Sequence, residues 1–113
     1  MEYRYEIRDN LLVLHFKGDL IGENHGPELI SIVNDQISND IIFSIIDLSD
    51  IRYINSSGIG VLITMLTKFR NRGGDVVLIN PSKTVEKLLT ITKLRSIFTI
   101  SDSVEEAVQE LKK

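Results

Sequence analysis

Ile46-Asp47-Leu48-Ser49-Asp50-Ile51-Arg52-Tyr53-Ile54-Asn55-Ser56-Ser57-Gly58-Ile59-Gly60-Val61-Leu62 is the stretch on which the fold turns. Just before it, Ile41-Ile42-Phe43-Ser44-Ile45-Ile46 is a short, nearly continuous apolar run that stops at Asp47. Such a run predicts a strand buried on both faces, as in a parallel sheet. After it, apolar residues recur at helical spacing up to Gly73, with Lys68, Arg70 and Arg72 in the last turns, where the helix dipole favours cations. The stretch therefore reads as a buried strand leaving the sheet at Asp47, a tight polar turn, and an apolar helix with Ser56 and Ser57 at its start. Serine there can cap an orphan backbone N–H, and a phosphate there meets free N–H groups and the positive end of the dipole.

Working outward, Glu2 to Ile7 alternates, with Tyr3, Tyr5 and Ile7 on one face, and Asp9-Asn10 turns the chain into Leu11 to Phe16. Residues 2–17 thus predict a hairpin at one edge of the sheet. Gly18 and Gly22 punctuate a loop up to Gly26-Pro27, where proline suits the first helical position. Leu29, Ile30, Val33 and Ile37 then mark a helix over 27–38. Downstream, Asp75 to Ile79 is another buried strand. Ser82 caps a helix with Val85, Leu88, Leu89 and Thr92 inward, and Ile97 to Ile100 is a last short strand. Ser103-Val104-Glu105-Glu106 is a capping box for a closing helix with Val104, Ala107, Val108 and Leu111 on one face. The expected architecture is a single α/β domain over residues 1–113. Its four- or five-stranded, mostly parallel sheet has an N-terminal hairpin and packs against helices near 27–38, 57–72, 82–92 and 103–112.

Composition removes whole classes of function. The chain has 113 residues and no cysteine, which excludes disulfides, thiolate metal sites and cysteine nucleophiles. No apolar run approaches a bilayer span and Met1-Glu2-Tyr3-Arg4 opens no signal peptide, so a cytoplasmic, membrane-free protein is expected. The net charge of −3 divides unevenly: residues 1–56 carry −6 and residues 57–113 carry +3. The bases between Lys68 and Arg95 are scattered and no aromatics interleave with them, which reads as solvated helix faces and not as a nucleic-acid footprint. His15 and His25 have no second ligand at metal spacing, so no metal is expected. Gly58-Ile59-Gly60 lacks the third glycine of a dinucleotide fingerprint, because Ile63 stands in its place. With no Walker A sequence and no nucleophile elbow, the sequence offers neither catalytic residues nor a cofactor site.

The central stretch resembles the hallmark of the STAS domain of bacterial anti-sigma factor antagonists. That pattern is Asp-Leu-Ser, a short spacer, then Asp-Ser-Ser/Thr-Gly-Leu-Gly-Val-Leu; Gly73-Gly74-Asp75-Val76-Val77-Leu78 and the closing helix also fit. The resemblance implies a binding protein, not an enzyme. Its unphosphorylated form would bind a cognate anti-sigma factor, itself a serine kinase, and so release the sigma factor. Phosphorylation would break that complex and a serine phosphatase would reset it, a partner-switching step in transcription regulation. Matched residue by residue, the phosphorylated serine is Ser56, with Ser57 as the alternative, flanked by Asn55, Gly58 and Gly60. Asn55 stands where the family has aspartate, and Gly18-Asp19-Leu20-Ile21 replaces a loop that commonly ends in an acid, putting Asp19 and Ile21 at the partner surface. The competing reading is a STAS-like sensor or scaffold that docks a partner or small ligand and is never phosphorylated.

On a helical wheel from Ser56, Val61, Leu62, Met65 and Phe69 face the core, and Thr64, Thr67, Lys68 and Asn71 face away. Ile59, Ile63 and Leu66 widen the apolar arc to roughly 200°, beyond the usual stripe of a surface helix. Leu66 is expected under a neighbouring helix. Ile59, beside Gly60, and Ile63 are expected at the partner surface, so that Ile59→Ala weakens binding and spares stability.

Overall fold

The computed structural model describes residues 2–112; Met1 and Lys113, at the ends of the expected domain, lie outside the described residues. β1 (Glu2–Arg8) and β2 (Leu11–Leu20) form the expected antiparallel hairpin. Asp9 and Asn10 both take positive φ (52° and 64°), as a two-residue type I′ turn requires. α1 (Gly22–Ser38), β3 (Phe43–Ile54), α2 (Ser56–Asn71), β4 (Asp75–Ile79), α3 (Lys83–Ile91), β5 (Thr99–Ser101) and α4 (Val104–Leu111) follow. The sheet runs β1-β2-β3-β4-β5, and every pair after the hairpin is parallel.

Alternation along the strands splits the core in two. Leu12, Leu14, Phe16, Ile46, Leu48 and Leu78 face a large cluster with α1, α2 and α3, while Val13, Ile45, Val77 and Ile79 face a smaller one with Ala107 of α4. Ser44, fully buried in β3, donates its hydroxyl to the Leu12 carbonyl at 2.8 Å, so the polar atom costs little.

Several boundaries move. β3 does not leave the sheet at Asp47; it continues to Ile54 because β2 also runs on, from Lys17 beside Asp50 to Leu20 beside Ile54, with two register shifts on the way. β4 ends beside Asp47, so the second half of β3 is paired on one side only, and it is this overhang that carries the chain to the helix. α1 begins at Gly22 and not at residue 27; Pro27 lies inside it, where it forfeits one helix bond. The last strand is Thr99–Ser101, and Thr92 is exposed, its hydroxyl donating to the Leu88 carbonyl instead of entering the core.

Candidate functional site

Because Leu20 and Ile54 are neighbours across the sheet, the two helices that follow them, α1 and α2, start side by side. Asn55 joins them. Its Oδ1 accepts from the Gly58 N–H (2.7 Å), capping α2, and from the Gly22 N–H (3.3 Å), the first residue of α1. The approach is tight enough to require two glycines: a Cβ on Gly58 would lie 2.5 Å from the Leu20 carbonyl oxygen, and one on Gly22 would overlap the Ser57 carbonyl. Gly60 has nothing within 4 Å of such a Cβ, so the close approach of the two helix starts rests on Gly58 and Gly22.

Glu23, in the first turn of α1, closes the clasp. Its Oε2 accepts from the Ser57 hydroxyl (2.6 Å) and from the Asn55 side-chain amide (3.2 Å). The Ser57 hydroxyl, its own backbone N–H and Asn55 together hold the Glu23 carboxyl below the usual carboxylate range. Ser57 is half-buried and engaged; Ser56, one residue earlier, is exposed, and no hydrogen bond to its hydroxyl is seen. Neither serine caps the helix, since Asn55 does so. A carboxylate thus sits at the mouth of α2 although the residue before Ser56 is an amide. The sequence reading missed Glu23 and Gly22 because they fell in what looked like an irregular loop; an acid in the first turn of a helix was the available signal.

The remaining expected site residues divide. Asp19 sits across from Tyr53 and is gripped by Arg52 through two bonds (3.0 and 2.8 Å), which lower its pKa. Ile21 is half-buried and is the N-cap of α1, with no side-chain cap bond. Ile63 is half-buried, and Leu66 is buried in the main core cluster. Ile59 overturns its expectation: at 5% exposed it belongs to the main core cluster, so it is no free surface anchor. Helical register turns its side chain inward at the first turn, where Ile54 and Leu20 also converge. Ile59→Ala is therefore expected to cost about 2–5 kcal/mol of stability in a thermal or denaturant melt.

His15 meets a carboxylate after all: its Nδ1 lies 3.0 Å from Asp47 Oδ2 across β2 and β3, 32 residues apart in sequence. Burial pushes Asp47 up, but the Ser49 N–H and His15 outweigh it and the carboxyl stays low. Among the described residues, no cluster of three metal-ligating side chains occurs, and no helix is long and apolar enough to cross a membrane. Of the bases between Lys68 and Arg95, Arg70 pairs with Asp75, Arg72 with Asp40 and Arg95 with Glu86.

Residues 2–107 match the STAS domain family. This chain is a STAS domain. It superposes on the crystal structure of TM1081 from Thermotoga maritima with a TM-score of 0.88 at 27% identity, covering 98% of this chain and 95% of that one. It is 36% identical over 62 residues to the anti-sigma-B factor antagonist of Bacillus subtilis, spanning 55% of this chain and 57% of that protein. The fold is also that of the anti-sigma factor antagonist SpoIIAA in its unphosphorylated form (TM-score 0.83, 19% identity, 98% and 96% covered). The phosphorylated form of the Bacillus SpoIIAA gives 0.70 at 18% identity, with 96% and 98% covered. The mixed five-stranded sheet and four helices are thus those of the STAS fold.

Proposed function

We propose that this STAS domain is an anti-sigma factor antagonist whose binding face is the joined start of α1 and α2, and that phosphorylation of Ser56 switches it off. The observation that carries the reading is the state of the two serines. Asn55 takes over the cap, Ser57 is tied to Glu23, and only Ser56 presents a free, exposed hydroxyl at the positive end of α2. The partner face assigned with it comprises Asn55, Ser57, Gly60, Ile63, Asp19 and Ile21, while Gly58 and Ile59 are buried and support it from beneath.

The switch is electrostatic. Phosphoserine adds about −1.5 to −2 charges. The helix dipole tolerates that charge, so the domain stays folded, but the phosphate stands beside the Glu23 carboxylate. A partner packed over the turn would have to bury both. The unphosphorylated domain therefore holds a cognate anti-sigma factor that is also its serine kinase, and a serine phosphatase restores binding.

The test is to incubate the protein with that kinase and ATP and to map the phosphate by mass spectrometry. Phosphate on Ser56, its absence in Ser56→Ala, and a complex that Ser56→Asp weakens at least tenfold are expected. Phosphate on Ser57 would move the switch by one residue. No phosphate on either serine, with the complex intact, would leave a constitutive docking module, the reading that the uncharged Asn55 favours.

A further inference from the structure

The sheet has two unequal edges. β5 is three residues long, whereas β1 presents seven residues with no proline and no bulge against β2. Edges of that length are normally blunted by proline, a bulge, charged side chains or a covering element, and of these β1 carries only the charges of Glu2, Arg4, Glu6 and Arg8. Here Tyr5 and Ile7 are each 46% exposed on the α1 side, and Tyr3 alone reaches a helix, donating its hydroxyl to Glu28 of α1.

The turn fixes which backbone groups face outward. In a two-residue hairpin the flanking pair, Arg8 and Leu11, is hydrogen-bonded, and bonding alternates from there. Glu2, Arg4, Glu6 and Arg8 therefore direct their N–H and C=O groups at β2, and Tyr3, Tyr5 and Ile7 direct theirs at the open edge. A second antiparallel strand must pair odd residues with odd residues.

The side chains then select one register. If Tyr5 lies opposite Tyr5 of a second copy, Tyr3 lies opposite Ile7, Glu2 opposite Arg8 and Arg4 opposite Glu6. Every charged residue of β1 meets its opposite, and the three apolar side chains meet their counterparts on the other face. A slip of two residues either way, the next register that keeps odd against odd, sets Glu2 against Glu6 and Arg4 against Arg4, or Arg4 against Arg8 and Glu6 against Glu6. Like charges directly opposed destabilise a strand pair. Within one chain these charges are poorly used: Arg8 and Glu6 are 3.9 Å apart and half exposed, and among the described residues Glu2 and Arg4 have no ion pair.

We propose that β1 is a self-complementary docking edge, through which two copies join about a twofold axis into one continuous ten-stranded sheet. Such an isologous contact places the same strand on both sides. Its six backbone hydrogen bonds run between Tyr5 and Tyr5 and between Tyr3 and Ile7, twice each way by symmetry. Two seven-residue strands bury little area, so the dimer is weak and concentration-dependent. The site at Ser56 follows β3, two strands in from the seam, so this inference does not depend on the proposed switch.

Sedimentation or light scattering of the full chain over a concentration series, with circular dichroism to confirm folding, tests this through charge reversal. The wild type dimerises, and added salt weakens the dimer. Arg4→Glu alone and Glu6→Arg alone each oppose like charges at two symmetric positions and raise the dissociation constant about tenfold or more. Mixed together, the two variants form a heterodimer with every charge pair restored. A wild type that stays monomeric up to ~1 mM, the regime of a negligible contact, overturns the proposal. So do single variants that dimerise as the wild type does, or a mixture that stays monomeric when the wild type does not.

Discussion

The starts of α2 and α4 are built from similar residues and behave differently. At α4, Ser103 accepts from the Glu106 N–H at 3.1 Å and the Glu106 carboxylate accepts from the Asp102 N–H at 3.1 Å. All partners lie within five residues, and the only departure from a standard capping box is that the glutamate reaches Asp102 and not Ser103. At α2 the cap is Asn55, which simultaneously holds Gly22 and Glu23, more than thirty residues away. A serine that caps its own helix has its hydroxyl oxygen turned in on the backbone N–H groups. With the cap at Asn55, Ser56 falls at the first helical position and its hydroxyl stands in solvent. The comparison shows how a fold leaves a serine hydroxyl exposed at a helix start: another residue is made to do the capping.

The largest expected effect comes from breaking the contact that α4 lacks. Gly58→Ala drives a methyl group against the Leu20 carbonyl and is expected to lower stability by about 3 kcal/mol, near the top of the overpacking range, in a chemical melt. Gly60→Ala, two residues on in open space, is expected to gain about 0.5–1 kcal/mol, since alanine favours a helix interior. Equal losses at both glycines would show that the two helix starts are not pressed together.

Next in size are the caps themselves. Ser103→Ala removes one local bond and is expected to cost about 1 kcal/mol. Asn55→Ala strips the cap of α2 and the partner of the Gly22 N–H together, and is expected to cost about 2 kcal/mol, at the upper end for a cap. Hydrogen exchange should sharpen the contrast. Asn55→Ala should speed exchange at the starts of both α1 and α2, whereas Ser103→Ala should affect α4 alone.

The smallest effect is the pH dependence of the clasp. Glu23 has a folded-state pKa below its unfolded value, so its contribution to stability is present above the ordinary carboxylate pKa and is lost as pH falls through the depressed one. Thermal melts of wild type and Glu23→Gln should therefore differ slightly at neutral pH and converge in strong acid. A difference that grows in acid would reverse the assignment. Since Glu23 is exposed, solvent screens the effect.

Elements whose causes are local were legible in the sequence. The Asp9-Asn10 turn, the caps at Ser82 and Ser103, the buried strand at 75–79, and the inward faces of α2 and α4 all lie where the spacing placed them, and the run at 41–46 enters its strand at Phe43, two residues late. Spacing and motif together also brought Ser56 and Ser57 to the start of α2. The differences share one origin. Pro27 marks a helix start in the sequence, whereas α1 begins five residues earlier on the support of Asn55, 33 residues away from Gly22. Asp47 closes an apolar run, whereas β3 continues past it on hydrogen bonds supplied by β2. A helical wheel shows the angle of Ile59 and not what stands opposite it, and the residue is buried.

The order of elements, the parallel sheet, the position of the serine pair and its STAS character follow from the amino-acid order alone, because each rests on periodicity or on contiguous residues. Which serine is free, that Glu23 and not the residue before Ser56 supplies the nearby carboxylate, and that Gly58 and Gly22 carry the close approach depend on how the chain packs. Those features exist where β2 and β3 end side by side. Chain segments 33 residues apart meet there through a bond from the Gly22 N–H to the Asn55 side chain, and such a bond leaves no periodic trace in either segment alone.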